Sequence, residues 1–229
     1  MLNSIVVEPT QAIFGSVICL HGLGASGQDL APLAPHMQLP DVRFIFPDAP
    51  VRPITIFGGD QARAWYDITT LEESPKRESW THVLESEILI QDLIQKEIDK
   101  GVPARNIAIM GFSQGAAMAL QIVHRYPESL LMAIVMSGYL LNPDLFAEGR
   151  SLANINTPFY FFHGSRDLVV PMRRGEAAFF ANQKIHPVSR WKDYPVGHEI
   201  CLEELRQVRF ALHRHFSHRK EWEKENGAR

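Results

Sequence analysis

Cysteine is scarce in this chain of 229 residues, which contains only Cys19 and Cys201. Two cysteines do not make a disulfide framework, and no C-x-x-C spacing occurs. Cys19 lies inside an apolar run, where a thiol usually serves as a small buried hydrophobe. The sequence therefore excludes a fold that depends on a network of disulfides.

Long apolar runs are also absent. No stretch approaches the roughly 18 uninterrupted apolar residues that a membrane-spanning helix needs. The first residues, 1–9, lack both the basic start and the sustained apolar run of a signal peptide. We therefore expect no integral membrane segment and a cytoplasmic location.

Positive charge is not concentrated anywhere along the chain. The formal net charge is −3, and no long basic run occurs. Nucleic acids and anionic membranes attract proteins through clustered lysine and arginine. The charge pattern therefore indicates neither of them as a partner.

Short apolar runs and helical segments are present, and they alternate along the chain. Hydrophobic residues make up 45% of it, enough for a globular protein with a sizeable core. Alternation of this kind predicts a mostly parallel central sheet with helices on both faces. We expect a single α/β domain over residues 1–229, with a charged C-terminal tail from about 217. The predicted strands cover 17–20, 42–47, 107–110, 130–136, 158–163 and 189–194, and the predicted helices cover 79–100, the residues after 113 to about 126, 171–182 and those from about 201.

The least regular part of the sequence is 49–79. Its first half is rich in proline and glycine, and its second half is rich in charge. A loop of this length inside a compact domain is usually functional. We interpret it as a flap beside the active site; an ordinary surface excursion is the alternative.

The most informative motif is Gly111-Phe112-Ser113-Gln114-Gly115, which matches G-x-S-x-G. An apolar run precedes it and good helix formers follow it, so the serine stands at a sharp turn between a strand and a helix. This context predicts a nucleophile elbow with Ser113 at its apex. Both glycines are expected because a side chain there would collide with the neighbouring strand and helix.

A serine hydroxyl needs a histidine to take its proton. In proteins with this elbow the chain order is serine, acid, histidine, which excludes every histidine before Ser113. His198 follows the last predicted strand, and loops at the carboxyl ends of parallel strands carry catalytic groups. We therefore choose His198 as the base. The other histidines after the elbow are His124, His163, His186, His213, His215 and His218.

The acid that orients this histidine is predicted to be Asp167. It follows the strand at 158–163, again at a carboxyl end. A turn aspartate that only caps a loop or the next helix is the alternative. The other carboxylates between Ser113 and His198 are weaker candidates: Asp144, Asp193, Glu128, Glu148 and Glu176.

An oxyanion hole is the remaining requirement. One donor is expected to be the backbone N–H of Gln114, the residue after the nucleophile. The other should come from the loop after an early strand, where the backbone N–H of Leu23 is the natural donor. The H-G-G-G form of many lipases is absent there. His21, at the start of that loop, is expected to shape the turn through a hydrogen bond.

Two further signals are weak. The histidines at 213, 215 and 218 resemble a metal cluster, but 213 and 215 face different sides of a helix, and no carboxylate or thiolate has ligand spacing. We expect no metal site and no cofactor. The aromatic pair Trp65-Tyr66 is capable of stacking on a ligand, although aromatic residues more often belong to the core.

With these motifs in place, the chain resembles the acyl-protein thioesterase/carboxylesterase group of α/β-hydrolases, the phospholipase–carboxylesterase family. The resemblance implies the α/β-hydrolase fold, a triad of Ser113, Asp167 and His198, and oxyanion donors at Leu23 and Gln114. It also implies hydrolysis of carboxylic esters or thioesters, no cofactor and often a homodimer. The chain departs from the family pattern at 68–79 and after about Phe216. The stretches that carry the resemblance are 21–24, 46–50, 64–67, 111–115, 167–171 and 197–199.

The sequence thus predicts a serine carboxylesterase that acts on short- to medium-chain acyl esters or thioesters through an acyl-enzyme. The acyl chain is expected to contact Leu23, Ile68, Leu168 and Val169. A lysophospholipase or an acyl-protein thioesterase is the alternative among enzymes, and a dienelactone-type hydrolase would need a cysteine at Ser113. A catalytically silent binding protein is the alternative outside enzymes.

Overall fold

The computed structural model describes residues 2–70, 72, 74, 76–143, 145–146 and 148–226. Within these ranges the chain forms nine strands and six α-helices. The strands are β1 (Ser4–Val7), β2 (Gly15–Leu20), β3 (Val42–Pro47), β4 (Val51–Ile54), β5 (Asp60–Arg63), β6 (Ile107–Phe112), β7 (Met132–Met136), β8 (Phe159–Gly164) and β9 (Ser189–Tyr194). The helices are α1 (Gly27–Leu30), α2 (Ala34–Met37), α3 (Trp80–Asp99), α4 (Gln114–Arg125), α5 (Met172–Gln183) and α6 (Leu202–Asn226).

Seven of these strands form one central sheet in the order β1-β3-β2-β6-β7-β8-β9. All neighbours are parallel except β1, which pairs with β3 in the antiparallel direction. The predicted fold class, a mostly parallel sheet, is therefore confirmed. Parallel strands leave their carboxyl ends at one edge, and the loops after β6, β8 and β9 meet there.

Both faces of the sheet are buried, as the apolar runs predict. In β2, Ile18 and Leu20 face one core, which includes residues of α3, α4 and α5. Val17 and Cys19 face the other core, which includes residues of α1, α2 and α6. Alternate side chains of a strand point to opposite faces, so a strand between two layers must be apolar throughout. The expected burial of Cys19 is confirmed, with 1% of its surface exposed.

The apolar runs of the sequence did not predict the strand β1 or the pair β4–β5. β1 lies at the sheet edge with most of its residues exposed, so it lacks the apolar signature of the central strands. β4 and β5 form an antiparallel hairpin inside the segment expected to be irregular. The carboxylate of Asp67 anchors this hairpin by accepting hydrogen bonds from the backbone N–H and the hydroxyl of Thr55, at 2.7 and 2.6 Å.

The charged C-terminal end is helical, as the sequence predicts for the residues from about 201. α6 runs through to Asn226. Phe216 is fully buried against Phe14, with ring centroids 6.4 Å apart. Beyond it, Arg219 donates to the side-chain oxygen of Asn106 at 3.3 Å. No helix within the described ranges combines the length and the apolar character needed to cross a bilayer.

One carboxyl group of α6 is buried without a full set of partners. Glu204, in the first turn, is 1% exposed, and its Oε1 has no hydrogen-bond partner among the described residues. Burial raises its pKa to about 8, although a hydrogen bond with the backbone of Cys201 opposes this shift. The folded protein therefore keeps the proton of Glu204 at pH values where an unfolded chain has lost it.

We predict that Glu204 lowers stability as the pH rises. The pKa of Glu204 in the folded protein lies above the unfolded value of about 4.3. The stability that its protonated form contributes is therefore fully present below about pH 4.3 and is lost as the pH rises through about 8. The Glu204→Gln variant cannot ionise, and its advantage over the wild type should grow by at most about 1.4 kcal/mol per pH unit in this window. Urea unfolding between pH 5 and 8 measures the difference. Glu203→Gln, a change at an exposed carboxylate of the same turn, is the control, and parallel profiles for Glu204→Gln and the wild type would contradict the prediction.

Candidate active site

Ser113 occupies a sharp turn between β6 and α4. Its backbone has φ 54° and ψ −118°, a conformation that residues with a side chain rarely adopt. Its N–H donates to the carbonyl of Met136 at the end of β7, at 2.9 Å. A Cβ on Gly111 would overlap the backbone of Gly115, and one on Gly115 would overlap the carbonyl of Leu20. The predicted strand, turn and helix are therefore present, and both glycines have the expected steric role.

Three side chains from separate loops are joined by hydrogen bonds at the carboxyl edge of the sheet. The Nε2 of His198 lies 2.9 Å from the Oγ of Ser113. The Nδ1 of His198 lies 2.7 Å from the Oδ2 of Asp167. Because the carboxylate accepts at Nδ1, this nitrogen carries the proton and Nε2 is free to accept from the serine. The structure thus brings together the three residues that the sequence suggested.

The carboxylate of Asp167 is held in a fixed orientation. It is 5% exposed, and its Oδ1 accepts from the backbone N–H groups of Val169 and Val170 at 2.9 and 2.8 Å. These bonds turn Oδ2 towards His198. An aspartate that only capped its loop would make the same two bonds. Asp167 therefore both closes its turn and contacts the imidazole.

The loops after β8 and β9 are tied together by backbone contacts. The N–H of Ser165 donates to the carbonyl of Tyr194 at 2.7 Å, and that of Arg166 donates to Val196 at 3.0 Å. Gly164 lies against the carbonyl of Gly197 so closely that a Cβ would overlap it. The acid and the imidazole therefore belong to one rigid unit.

Two residues that the sequence analysis did not assign support this unit. His163 donates from Nε2 to the carbonyl of Val170 at 2.8 Å, and burial lowers its pKa, so it stays neutral. Its Nε2 lies 3.7 Å from the carboxylate of Asp167. The ring of Phe112 packs on His198 with centroids 4.7 Å apart. The chain order explains why His163 is unsuited to be the base, but only the structure shows its support of the acid loop.

The other histidines that follow the elbow lie elsewhere. His124 and His186 contact each other at 2.9 Å in the core, and burial lowers the pKa of His124 to about 4. His213 donates to the carbonyl of Met37, whereas His215 contacts the hydroxyl of Tyr160, so the two face different sides of α6 as expected.

Among the other candidate acids, Asp193 is exposed on β9, and Asp144 lies outside the described residues. Glu73, in the charged half of the 49–79 segment, also lies outside them. No group of three or more metal-ligating side chains occurs in the described part of the chain.

The two residues expected to supply the oxyanion donors belong to the wall of the cavity at Ser113. Leu23 and Gln114 both line it, and neither backbone N–H donates to an acceptor within the described ranges. His21 shapes the turn before Leu23, as predicted. Its Nε2 accepts from the N–H of Ala49 at 2.9 Å, so its Nδ1 carries the proton and donates to the carbonyl of Gly22 at 2.7 Å. Burial lowers its pKa, which keeps this ring neutral.

The side chain of Gln114 has a role that the sequence analysis did not assign. Its Oε1 accepts from the N–H of Trp65 at 2.7 Å, and its Nε2 donates to the carbonyl of Tyr66 at 2.8 Å. The indole N–H of Trp65 donates to the carbonyl of His21 at 2.9 Å. Trp65 and Tyr66 are fully buried, so they are core residues, as the more common interpretation predicted. Gln114 thus joins the elbow to the segment that carries the cavity wall.

The cavity at Ser113 has a volume of about 720 Å³. Leu23, Ile68 and Val169 line it, but Leu168 does not. Leu168 is 92% exposed because the turn that directs the amides of Val169 and Val170 towards Asp167 points the intervening side chain to solvent. Residues from the segment 49–79, including Ile56 and Phe57, form part of the wall, so this segment lies beside the cavity, as expected.

The sheet order, the elbow and the loop positions define an α/β-hydrolase. The sequence profile of the Phospholipase/Carboxylesterase family matches residues 1–216. The chain belongs to this family and is therefore a serine hydrolase. Acyl-protein thioesterase 1 of Neurospora crassa is 37% identical over 83% of this chain and 82% of its own length. A probable carboxylesterase of Oryza sativa is 34% identical over 86% of both chains. The crystal structure of Zea mays acyl-protein thioesterase 2 superimposes with a TM-score of 0.82 at 26% identity, covering 94% of this chain and all of that one.

We predict that Gln114→Ala destabilises the fold by about 2 kcal/mol or more. The substitution keeps the backbone N–H but leaves two buried backbone groups, at Trp65 and Tyr66, without partners. Urea unfolding at pH 7 measures the loss. Gln121→Ala is the control, since this buried glutamine of the same helix bonds, among the described residues, to the side chain of Glu87 and to no backbone group. Equal losses in the two variants would show that the bridge to the backbone adds nothing.

Proposed function

We propose that this protein hydrolyses carboxylic esters or thioesters with Ser113 as nucleophile, His198 as general base and acid, and Asp167 as the residue that orients the imidazole. The observation that carries the proposal is the continuous chain of hydrogen bonds, 2.9 Å from Oγ to Nε2 and 2.7 Å from Nδ1 to the carboxylate. This is the arrangement that activates a serine hydroxyl. Relatives named acyl-protein thioesterase and probable carboxylesterase support the proposal that esters or thioesters are the bonds cleaved.

The reaction proceeds through an acyl-enzyme. Ser113 attacks the carbonyl carbon while Nε2 of His198 takes its proton. The alcohol or thiol then leaves with that proton, and the acyl group remains on the Oγ. Water repeats the sequence, with His198 again as base, and releases the acid. Asp167 orients the imidazole and stabilises the imidazolium in both steps.

The negative charge on the carbonyl oxygen needs donors that are in place before the reaction. The N–H of Gln114 belongs to the first turn of α4, where backbone donors have no partner within the helix. The N–H of Leu23 comes from the turn that His21 and Trp65 hold. We propose these two amides as the oxyanion hole, in which one donor is typically worth about 100- to 1,000-fold in turnover.

The acyl chain is proposed to lie in the cavity beside Ser113. Leu23, Ile68 and Val169 provide apolar surface there. A volume of about 720 Å³ suits a short- to medium-length chain together with part of the leaving group. Leu168, which points away from the cavity, is left out of this slot.

Replacing the nucleophile should abolish turnover. We predict that Ser113→Ala lowers kcat on a short p-nitrophenyl ester by about a million-fold, because the three residues act as a unit. The variant should also resist covalent labelling by a fluorophosphonate, which reacts only with an activated serine. Spectrophotometric turnover and gel-based labelling measure the two effects.

Ser137→Ala is the control for this experiment. Ser137 is another buried serine with a positive φ, but it follows β7 and lies outside the hydrogen-bonded chain. The Ser137→Ala variant should still be labelled by the fluorophosphonate at Ser113. Wild-type protein that resists the fluorophosphonate would instead favour a silent binding protein, and activity of Ser113→Ala near the wild-type level would refute the nucleophile.

Chain length should matter if the apolar slot is correct. We predict that kcat/KM for p-nitrophenyl esters rises from acetate to about octanoate, by up to about fourfold per methylene, because each buried CH₂ contributes about 0.8 kcal/mol. Ile68→Ala should weaken the rise. Leu168→Ala, which changes an exposed residue outside the cavity, should preserve it. A flat profile in the wild type counts against the slot.

A further inference from the structure

An arginine lies in the wall of the active-site cavity. Arg77 lines this cavity together with Ser113 and His198. Its backbone carbonyl accepts from the N–H of Thr69 at 2.8 Å, and the next residue, Glu78, pairs with Ile68 in an isolated bridge. Arg77 is therefore held beside the part of the wall that Ile68 provides. The proposed apolar slot thus has a cation at its side.

Arg77 is buried but incompletely paired. It is 9% exposed, and its Nη1 donates to the carboxylate of Glu78 at 3.1 Å. Its Nε is buried, and within the described part of the chain it has no hydrogen-bond partner. A guanidinium has five N–H donors, and a buried donor without an acceptor costs free energy. The cavity wall therefore offers donor capacity that the described residues do not use.

Among the described side chains, Arg77 shares its one carboxylate partner with a second guanidinium. Arg174 lies 3.5 Å from the same oxygen of Glu78, so the two guanidiniums share one carboxylate. Both also face the ring of Tyr139, with their central carbons 5.5 and 4.1 Å from its centroid. Among these four side chains, two positive charges meet at most one negative charge. Such an arrangement favours a further anion.

A second cavity continues behind this wall. It has a volume of about 510 Å³, and Arg77 and Tyr139 line both it and the cavity of Ser113. Arg173 and Arg174, together with Glu78, contribute to its surface. Arg77 therefore stands at the boundary between the proposed reaction site and a pocket lined by further guanidiniums.

We propose that Arg77 is a specificity-determining residue that binds an oxyanion, such as a carboxylate, on the substrate of this hydrolase. The proposal rests on the function proposed for Ser113 and narrows its substrate class to esters or thioesters with an anionic end. A guanidinium binds a carboxylate through two parallel hydrogen bonds, which fixes the position as well as the charge. The anion belongs either to the far end of the acyl chain or to the leaving group.

Matched substrates distinguish these two positions. The acyl arm compares mono-p-nitrophenyl adipate with p-nitrophenyl hexanoate, which lacks the terminal carboxylate. The leaving-group arm compares the hexanoyl thioesters of mercaptopropionate and of mercaptopropionamide. The readout is the ratio of kcat/KM for the anionic over the neutral member. We expect the wild type to prefer the anionic member in one arm, and equal or smaller values for the anionic member in both arms would overturn the proposal.

Variants at Arg77 test whether this residue causes the preference. Arg77→Gln should lower the ratio by about tenfold or more, as expected for the loss of a charge-assisted pair. Arg77→Lys keeps the charge without the planar fork and should give an intermediate ratio. Arg166→Gln makes the same charge change at an exposed arginine beside Asp167. It controls for general electrostatic attraction of the anionic substrate, and it should keep the wild-type ratio. A ratio that Arg77→Gln and Arg77→Lys leave unchanged would overturn the proposal.

A binding measurement separates this proposal from the proposed reaction. Calorimetric titration of the Ser113→Ala variant with adipic acid monoamide should show binding, and the Ser113→Ala/Arg77→Gln double variant should bind with a Kd at least about tenfold larger. The neutral analogue hexanamide should bind both variants alike. Equal Kd values for the monoamide would reject the role of Arg77. If no ester were hydrolysed by the wild type, the proposed function would fail while this titration still decided the anion site.

Discussion

The turn at Ser113 is the constraint on which the candidate active site depends. Its unusual backbone conformation holds the hydroxyl out at the edge of the sheet and starts α4 immediately afterwards. The turn exists only because Gly111 and Gly115 let the strand, the helix and the end of β2 approach closely. Packing across both faces of the sheet supplies the free energy that keeps this strained turn in place. The helix that begins there starts with Gln114, whose N–H is the proposed oxyanion donor.

The other half of the site depends on a different principle, which is fixation by hydrogen bonds. Asp167 and His198 lie on loops that would be mobile if each stood alone. Backbone bonds between the two loops, and the amides that the carboxylate accepts, leave one arrangement of the pair. The neutral imidazole of His163 contributes a hydrogen bond to the acid loop without adding charge, because burial lowers its pKa. The imidazole of His198 therefore meets the serine without a change in the loops.

Much of the fold followed from local patterns, and the exceptions have physical reasons. The central strands are buried on both faces, so their sequences are continuous apolar runs that are easy to recognise. β1 is an exposed edge strand, and β4–β5 is a hairpin anchored by Asp67 from outside its own sequence. Neither has a periodicity of its own. The residues that the sequence suggested for acyl-chain contact also separate in space. Ile68 lines the cavity, whereas the turn after Asp167 directs Leu168 to solvent.

The sequence by itself determined the parallel α/β architecture, the elbow and the order of Ser113, Asp167 and His198, because each depends on short runs and on the rule that parallel strands end at one edge. Only the tertiary structure decided what surrounds them. The bridge from Gln114 to Trp65, the support of the acid loop by His163 and the position of Arg77 in the cavity wall all join segments that are far apart in the chain. Such contacts leave no periodic signal in the sequence, since they arise from the way that loops meet once the sheet has formed.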